Sequence, residues 1–374
     1  MTASSINKNE TSVHSRKKSP LITSESTSTS TSEKNEIVSL NSDTINEYDL
    51  IYQSEKVDRY QITIALILDL IIILSSFQYP FFEKFYKLQY NYSGTNYYDI
   101  GYDDIYLSLF IIINLSLIRS SIMIFILRPI AILFKIHNLK PIQRFKEQGW
   151  LLIYYSISWI FGFYLYLNSD YFLNNDKVYL NWPHNQLSML FKLYYLIQTS
   201  LYIQLTFVIN IEEKRKDYIQ MFSHHIITSI LCICSYSYYM THIGHVILLL
   251  MDIVDVFLSL AKILKYIGCN FICDLMFLIF MLSWIILRHG VYNFVLYHTY
   301  QNASRLMGGS CELALKLNLN LNNCYPDLLF NILVFLLFGL QIITIIWLFM
   351  ILKVAYKVIK GDNADDVRSD DDDM

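Results

Sequence analysis

Residues 218–239 read YIQMFSHHIITSILCICSYSYY. A run of this length and apolarity crosses a hydrocarbon core of about 30 Å as one helix. Yet it carries two adjacent imidazoles, His224 and His225, and ionisable side chains inside a membrane are costly and face a protein interior or a water-filled cavity. His224 lies some six residues into the run, roughly 9 Å deep, and Thr228 one turn on shares its face. His225 points about 100° away and can reach a different partner.

Seven further apolar runs accompany it, giving candidate spans near 62–79, 105–127, 149–167, 187–209, 218–239, 243–264, 271–296 and 328–352. The chain of 374 residues is 54% hydrophobic and only 16% charged, against about 25% charged for soluble domains. The fold class is therefore all-α, a polytopic transmembrane bundle of about eight spans. The fifth and sixth spans, separated only by the MTHIG turn, are expected to form a tight antiparallel hairpin. No internal repeat of the kind that marks many secondary transporters is visible.

Residues 1–58 are rich in Ser, Thr, Asn, Glu and Lys and read as a disordered cytosolic tail. A two-span region follows over 59–139, then a membrane domain over 140–355. An acidic tail over 356–374 ends in GDNADDVRSDDDDM, whose charge of about −6 hides a mildly basic remainder within the net −3. No cleavable signal peptide is expected, since the first apolar run starts only at Ile62 and reads as a signal anchor. Nothing points to nucleic acid.

The segments RPIAILFKIHNLKPIQRFKEQ, EEKRKD, LAKILKY and KVAYKVIK are basic and alternate with acidic, aromatic connections. The excess of Lys and Arg places these segments, and both termini, in the cytosol. The sequons at Asn91 and Asn302 then fall on the lumenal side, where glycosylation occurs, while those at Asn9 and Asn114 stay unused. Cys311 and Cys324 share a lumenal, oxidising connection and form a candidate disulfide. Ser369, before four Asp, is a candidate phosphorylation site; a plain solubilising tail is the other reading.

The sixth span places Asp252, Asp255, Ser259 and Lys262 at spacings of three, four and three, one stripe of a helix. Asp255 lies roughly 14 Å deep, comparable to the histidines. An Asp–His pair would orient and charge-stabilise an imidazole for acyl transfer. Other readings stay open at this point: hydrogen-bonded structural histidines, a cation or metal site, or a proton relay in a transporter. Adjacent histidines are poor chelators on a helix, and no metal site is expected. Arg288-His289, deep in span seven, reads as a snorkelling lumenal anchor.

The segment RKDYIQMFSHHIITSILCICSYSYYMTHIGHVILLLMDIVDVFLSLAKILKY, from Arg215, resembles the signature motif of the ceramide synthases, the longevity-assurance family of TLC-domain proteins. The match includes His224-His225, Thr228, Gly244, Asp252, Asp255 and Lys262. RFKEQGWLLIYYSISWIFGFYLYLNSDYF and WIILRHGVYNF are similar to other parts of the domain, so the resemblance spans roughly 140–297. Many members have His where this chain has Met251, which argues against a three-histidine mechanism here.

The resemblance implies N-acylation of a long-chain sphingoid base by acyl-CoA in the endoplasmic reticulum membrane. No cofactor is implied, since acyl-CoA is a substrate. His224 is expected to react, oriented by Asp255, with His225 and Asp252 in support. Lys214, Arg215 and Lys216 are expected to meet the polyanionic CoA at the cytosolic mouth. A small single-span accessory subunit, and a dimer with itself or a paralogue, are the implied partners. The alternative is a non-catalytic TLC-domain protein acting in lipid sensing or membrane-protein biogenesis.

Overall fold

A computed structural model describes residues 55–136, 138–308, 311 and 324–360. Most of the expected N-terminal tail, the Asn9 sequon, Ser369 and most of the acidic tail lie outside the described residues.

Helices stand at all eight expected positions. They are α1 (55–76), α2 (Asp104–Leu133), α3 (Leu139–Leu167), α4 (Met189–Ile211), α5 (Tyr218–Ser237), α6 (Thr241–Ile267), α7 (Asn270–Leu306) and α8 (Asp327–Ile359). Five of them, α2, α3, α5, α7 and α8, are long and apolar enough to cross a membrane. In α4 thirteen side chains are buried within the protein, which makes it a central helix. A short antiparallel pair, β1 (Tyr97–Tyr98) and β2 (Leu187–Ser188), ties the α1–α2 connection to the start of α4.

Local chemistry sets several boundaries. Ser188 caps α4 by accepting the Phe191 amide, an ordinary N-cap. α6 stops at Gly268, whose φ of +86° is a left-handed cap suited to glycine. Pro129 has no N–H to offer the preceding turn, and α2 widens to π geometry over Met123–Leu127 just before it.

The expected N-terminal tail is corrected at its end. Residues 55–58 are helical: Glu55 pairs with Arg128 at 3.1 Å, and Asp58 with buried Arg119 at 3.6 Å. These ion pairs carry α1 beyond its apolar run. α7 likewise outlasts its expected span because the polar YHTYQNASRL stretch continues the helix.

The hairpin expectation needs a second correction. The α5–α6 turn is short, but the helices diverge from it. α5 packs chiefly on α4 and α8, whereas α6 packs chiefly on α3 and α7. At the turn end, Tyr195 of α4 bonds Ser235 of α5 and lies so close to Gly244 of α6 that a Cβ there would overlap its hydroxyl. Away from the turn, the splay leaves a wedge between the two helices.

Ion pairs gather one end of the bundle. Arg119 reaches Glu212 at 2.5 Å, Arg144 reaches Glu213 at 3.1 Å, and Arg215 reaches Glu147 at 2.9 Å. The start of α1, the α2–α3 connection and the α4–α5 connection therefore share this end. The opposite end is held by fully enclosed Lys192, 2.7 Å from Asp104, and by the Cys311–Cys324 disulfide.

Candidate active site

The site fills the wedge. On α5, His225 is buried and His224 half-buried, with ring centroids 5.4 Å apart. Among the described residues, neither Nδ1 has a hydrogen-bond partner. The His224 ring meets Trp347 of α8 edge-on at 5.3 Å, and Trp347 meets Trp284 of α7 edge-on at 6.1 Å. Such edge-to-face contacts lock ring orientation.

Arg288 continues this wall. Its guanidinium lies 4.1 Å from the Trp284 ring centroid. Its Nη2 donates to Asp255 Oδ2 at 2.8 Å and to the Met251 carbonyl at 2.9 Å. Only 3% of the residue is exposed, so the snorkelling reading is overturned. α7 runs in π geometry over Trp284–Val291; the widened turn brings Arg288 inward, and such π segments recur at functional sites.

The expected Asp–His pair is corrected by the same contacts. Asp255 Oδ2 is held by Arg288, and among the described residues no carboxylate holds either Nδ1. Asp252 is wholly enclosed, accepting from Tyr202 Oη at 2.9 Å and Gln198 Nε2 at 2.6 Å. Gln198 Oε1 in turn accepts from Tyr154 Oη at 2.8 Å. Asp252 thus ties α6 to α3 and α4. The two carboxylates, one helical turn apart, part ways because each takes a donor from a different neighbouring helix.

Two cavities meet here. The more polar one opens among Glu147, Glu213, Lys214, Arg215 and Asp217 and runs inward past apolar side chains such as Leu205 and Trp284 to His224, His225, Asp255, Ser259, Lys262 and Arg288. The other is almost wholly apolar and runs between α5, α6 and α8 past Thr228, Leu231, Met251 and Leu337 to Tyr179, Thr299 and Met307. Among the described residues, His224 is the one side chain that lines both. Lys216 is exposed and lines neither, and Asp252 also stands outside both. At the polar rim, burial holds the Glu212 carboxyl above the usual carboxylate range, with the Glu147 carboxylate adding to this and Arg119 opposing it. Among the described residues no group of three or more His, Cys, Asp or Glu is placed to hold a metal.

Asn91 sits exposed in the α1–α2 connection, its amide donating to the Thr95 carbonyl at 3.2 Å. Asn302 falls in the last turns of α7 rather than in a loop and accepts from Arg305 at 3.2 Å. Asn114 donates to Asp69 of α1 at 3.3 Å inside the bundle. Trp347, Gln198 and Tyr202 escaped the sequence reading, and Trp284 entered it only as part of the WIILRHGVYNF segment. Only the i,i+4 spacing of Trp284 and Arg288 hinted at a shared face.

Fold and site together define a multi-pass membrane protein with an imidazole where a polar and an apolar cavity join. The TLC domain matches residues 144–353. A sphingosine N-acyltransferase-like protein of Alternaria alternata is 38% identical, the alignment covering 83% of this chain and 75% of that one. A sphingosine N-acyltransferase of Schizosaccharomyces pombe is 37% identical, covering 80% and 75%. A ceramide synthase of Gibberella moniliformis is 33% identical, covering 78% and 73%. The chain belongs to the TLC-domain family, among the sphingosine N-acyltransferases.

Proposed function

We propose that this protein is a ceramide synthase, transferring a fatty acyl group from acyl-CoA to the amine of a long-chain sphingoid base. The observation that carries the reading is the place of His224, at the junction of the two cavities. An acyl-CoA has the same division, a polyanionic head and an apolar tail joined at the thioester. With its tail in the apolar cavity and its head in the polar one, the thioester carbonyl falls beside His224.

A nitrogen of neutral His224 attacks that carbonyl; the C–S bond breaks and CoA leaves as the thiolate. The sphingoid amine, deprotonated, then attacks the acyl-imidazole. The new C–N bond forms, the imidazole leaves, and the amine's proton passes to it. If no acyl-enzyme forms, the same imidazole takes the amine's proton directly as general base. Arg288, fixed in the same cavity by Asp255 and Trp284, is a cation placed to meet the developing oxyanion. Asp255 acts through Arg288 as a positioning residue, and His225 and Asp252 support the site. Lys214 and Arg215, at the rim, are placed for CoA phosphates, and a phosphate would compete with Glu147 for Arg215. The reaction as written uses no cofactor.

The complete set of His224, His225, Asp252 and Asp255 favours this reading over a non-catalytic relative. The gathering of basic connections at one end supports cytosolic termini and a cytosolic CoA entrance. We place the protein in the endoplasmic reticulum membrane, with a small single-span accessory subunit or a second synthase chain as the partners this reading implies.

The test is release of CoA thiol from acyl-CoA by membranes that contain the protein. Release should require added sphinganine, and His224→Ala should lower it by at least about 100-fold. Wild-type rates from both His224→Ala and His225→Ala would end the catalytic reading.

A further inference from the structure

Two hydroxyl pairs line the apolar cavity away from His224: Tyr195 with Ser235, described above, and a second pair. Tyr179, from the α3–α4 connection, bonds Thr299 of α7 through their hydroxyls at 2.6 Å. Both residues are buried, at 4% and 5% exposure. Thr299 is itself anchored to the Val295 carbonyl at 2.8 Å. A second latch lies beside it: His298 stacks on the Tyr179 ring at 5.9 Å and bonds Asp176 at 2.8 Å. The connection is thus clamped to α7 twice, and the Tyr179 ring it carries is part of the cavity lining. A hydrogen-bonded pair in an apolar lining fixes a position, because neither hydroxyl can leave without losing its partner.

The depth above this ring is set by α5. From His224 to Ser235, both lining the cavity, the helix rises about 16 Å. That is roughly half of a ~30 Å hydrocarbon core, the length of one leaflet's chains.

We propose that Tyr179, held by Thr299, is the stop that sets the longest acyl chain transferred, and that the protein takes chains of ordinary membrane length in preference to very long ones. This rests on the acyltransferase reading above and adds to it a substrate class and a residue that decides it. The acyl carbonyl sits at His224; each added methylene pushes the methyl end toward a ring that cannot yield. One added methylene in a hydrophobic pocket changes discrimination by roughly 10–200-fold, and a very long chain adds several.

The experiment uses the full chain in membranes of a strain deleted for its own ceramide synthases. Palmitoyl-CoA and lignoceroyl-CoA compete at equal concentration for sphinganine, and the ratio of the two ceramides is read by mass spectrometry. The wild type should favour palmitoyl strongly. Tyr179→Ala should raise the lignoceroyl-to-palmitoyl ratio at least about tenfold, and Thr299→Ala should raise it less, since the ring stays but loses its tether. A wild type that uses both acyl-CoAs equally overturns the proposal, whether or not the variants fold. So does a Tyr179→Ala or Tyr179→Leu enzyme with the wild-type ratio. A wild type that forms no ceramide from either acyl-CoA instead sinks the acyltransferase reading itself.

Discussion

Arg288 is a buried charge in the middle of α7, and it is tolerated because three groups receive it. Asp255 takes its charge, the Met251 carbonyl takes a second hydrogen bond, and the Trp284 ring takes its face. Removing one partner leaves the other charge buried alone, at a cost of about 3–5 kcal/mol. Asp255→Ala should therefore lower the unfolding midpoint in detergent far more than Asp255→Asn, which can still accept from Arg288. Arg288→Lys keeps the charge but not the planar fork. We expect it to lower kcat by about 100-fold or more while the KM for acyl-CoA stays within about twofold. An unchanged kcat would remove Arg288 from the chemistry. The histidines and aspartates were legible in the sequence because intramembrane polar residues stand out against an apolar background. The partners of those residues were not legible, since an Asp on a helix face has the same spacing whether it meets an imidazole or a guanidinium.

At the scale of elements, the cavity exists because α5 and α6 part after their turn. Gly244 and Tyr195 hold the closed end, where any side chain on Gly244 would meet the Tyr195 hydroxyl. Gly244→Ala should displace Tyr195 from Ser235 and destabilise the fold by about 1–3 kcal/mol. It should also cost activity, because the displaced ring belongs to the lining of the apolar cavity. A variant with wild-type activity and melting temperature would show that the contact relaxes freely. The π segment over Trp284–Val291 works at this scale too: it lets one helix present both Trp284 and Arg288 to the site while its outer face stays apolar. All eight helices were legible from the length of their apolar runs. Their divergence was not, since a short turn sets where two helices start and says nothing of which neighbours draw them apart.

For the whole molecule, the two ends differ in chemistry. One carries the interlocked ion pairs of Arg119, Arg144 and Arg215; the other carries the β1–β2 pair, the disulfide and Asn91. If the first end is cytosolic, Asn91 is lumenal and exposed, and Asn91→Gln should remove one glycan-sized mobility shift on a gel. Asn114→Gln should remove none, because that side chain bonds Asp69 between α1 and α2. A glycan retained on the Asn91 variant and lost from an Asn9 variant would invert the topology.

The sequence by itself determined that this chain is a helical membrane protein, where its eight long apolar helices fall, which turns of them carry costly polar groups, and which family those groups resemble. These are properties of lipid as a solvent and of helical periodicity, and both act locally along the chain. Only the tertiary structure decided that Asp255 serves Arg288, that Asp252 braces α3 and α4, and that His224 stands between a polar and an apolar cavity. Those assignments depend on which helices touch. In a membrane that choice rests on packing and on a few interhelical hydrogen bonds, neither of which is written in linear order.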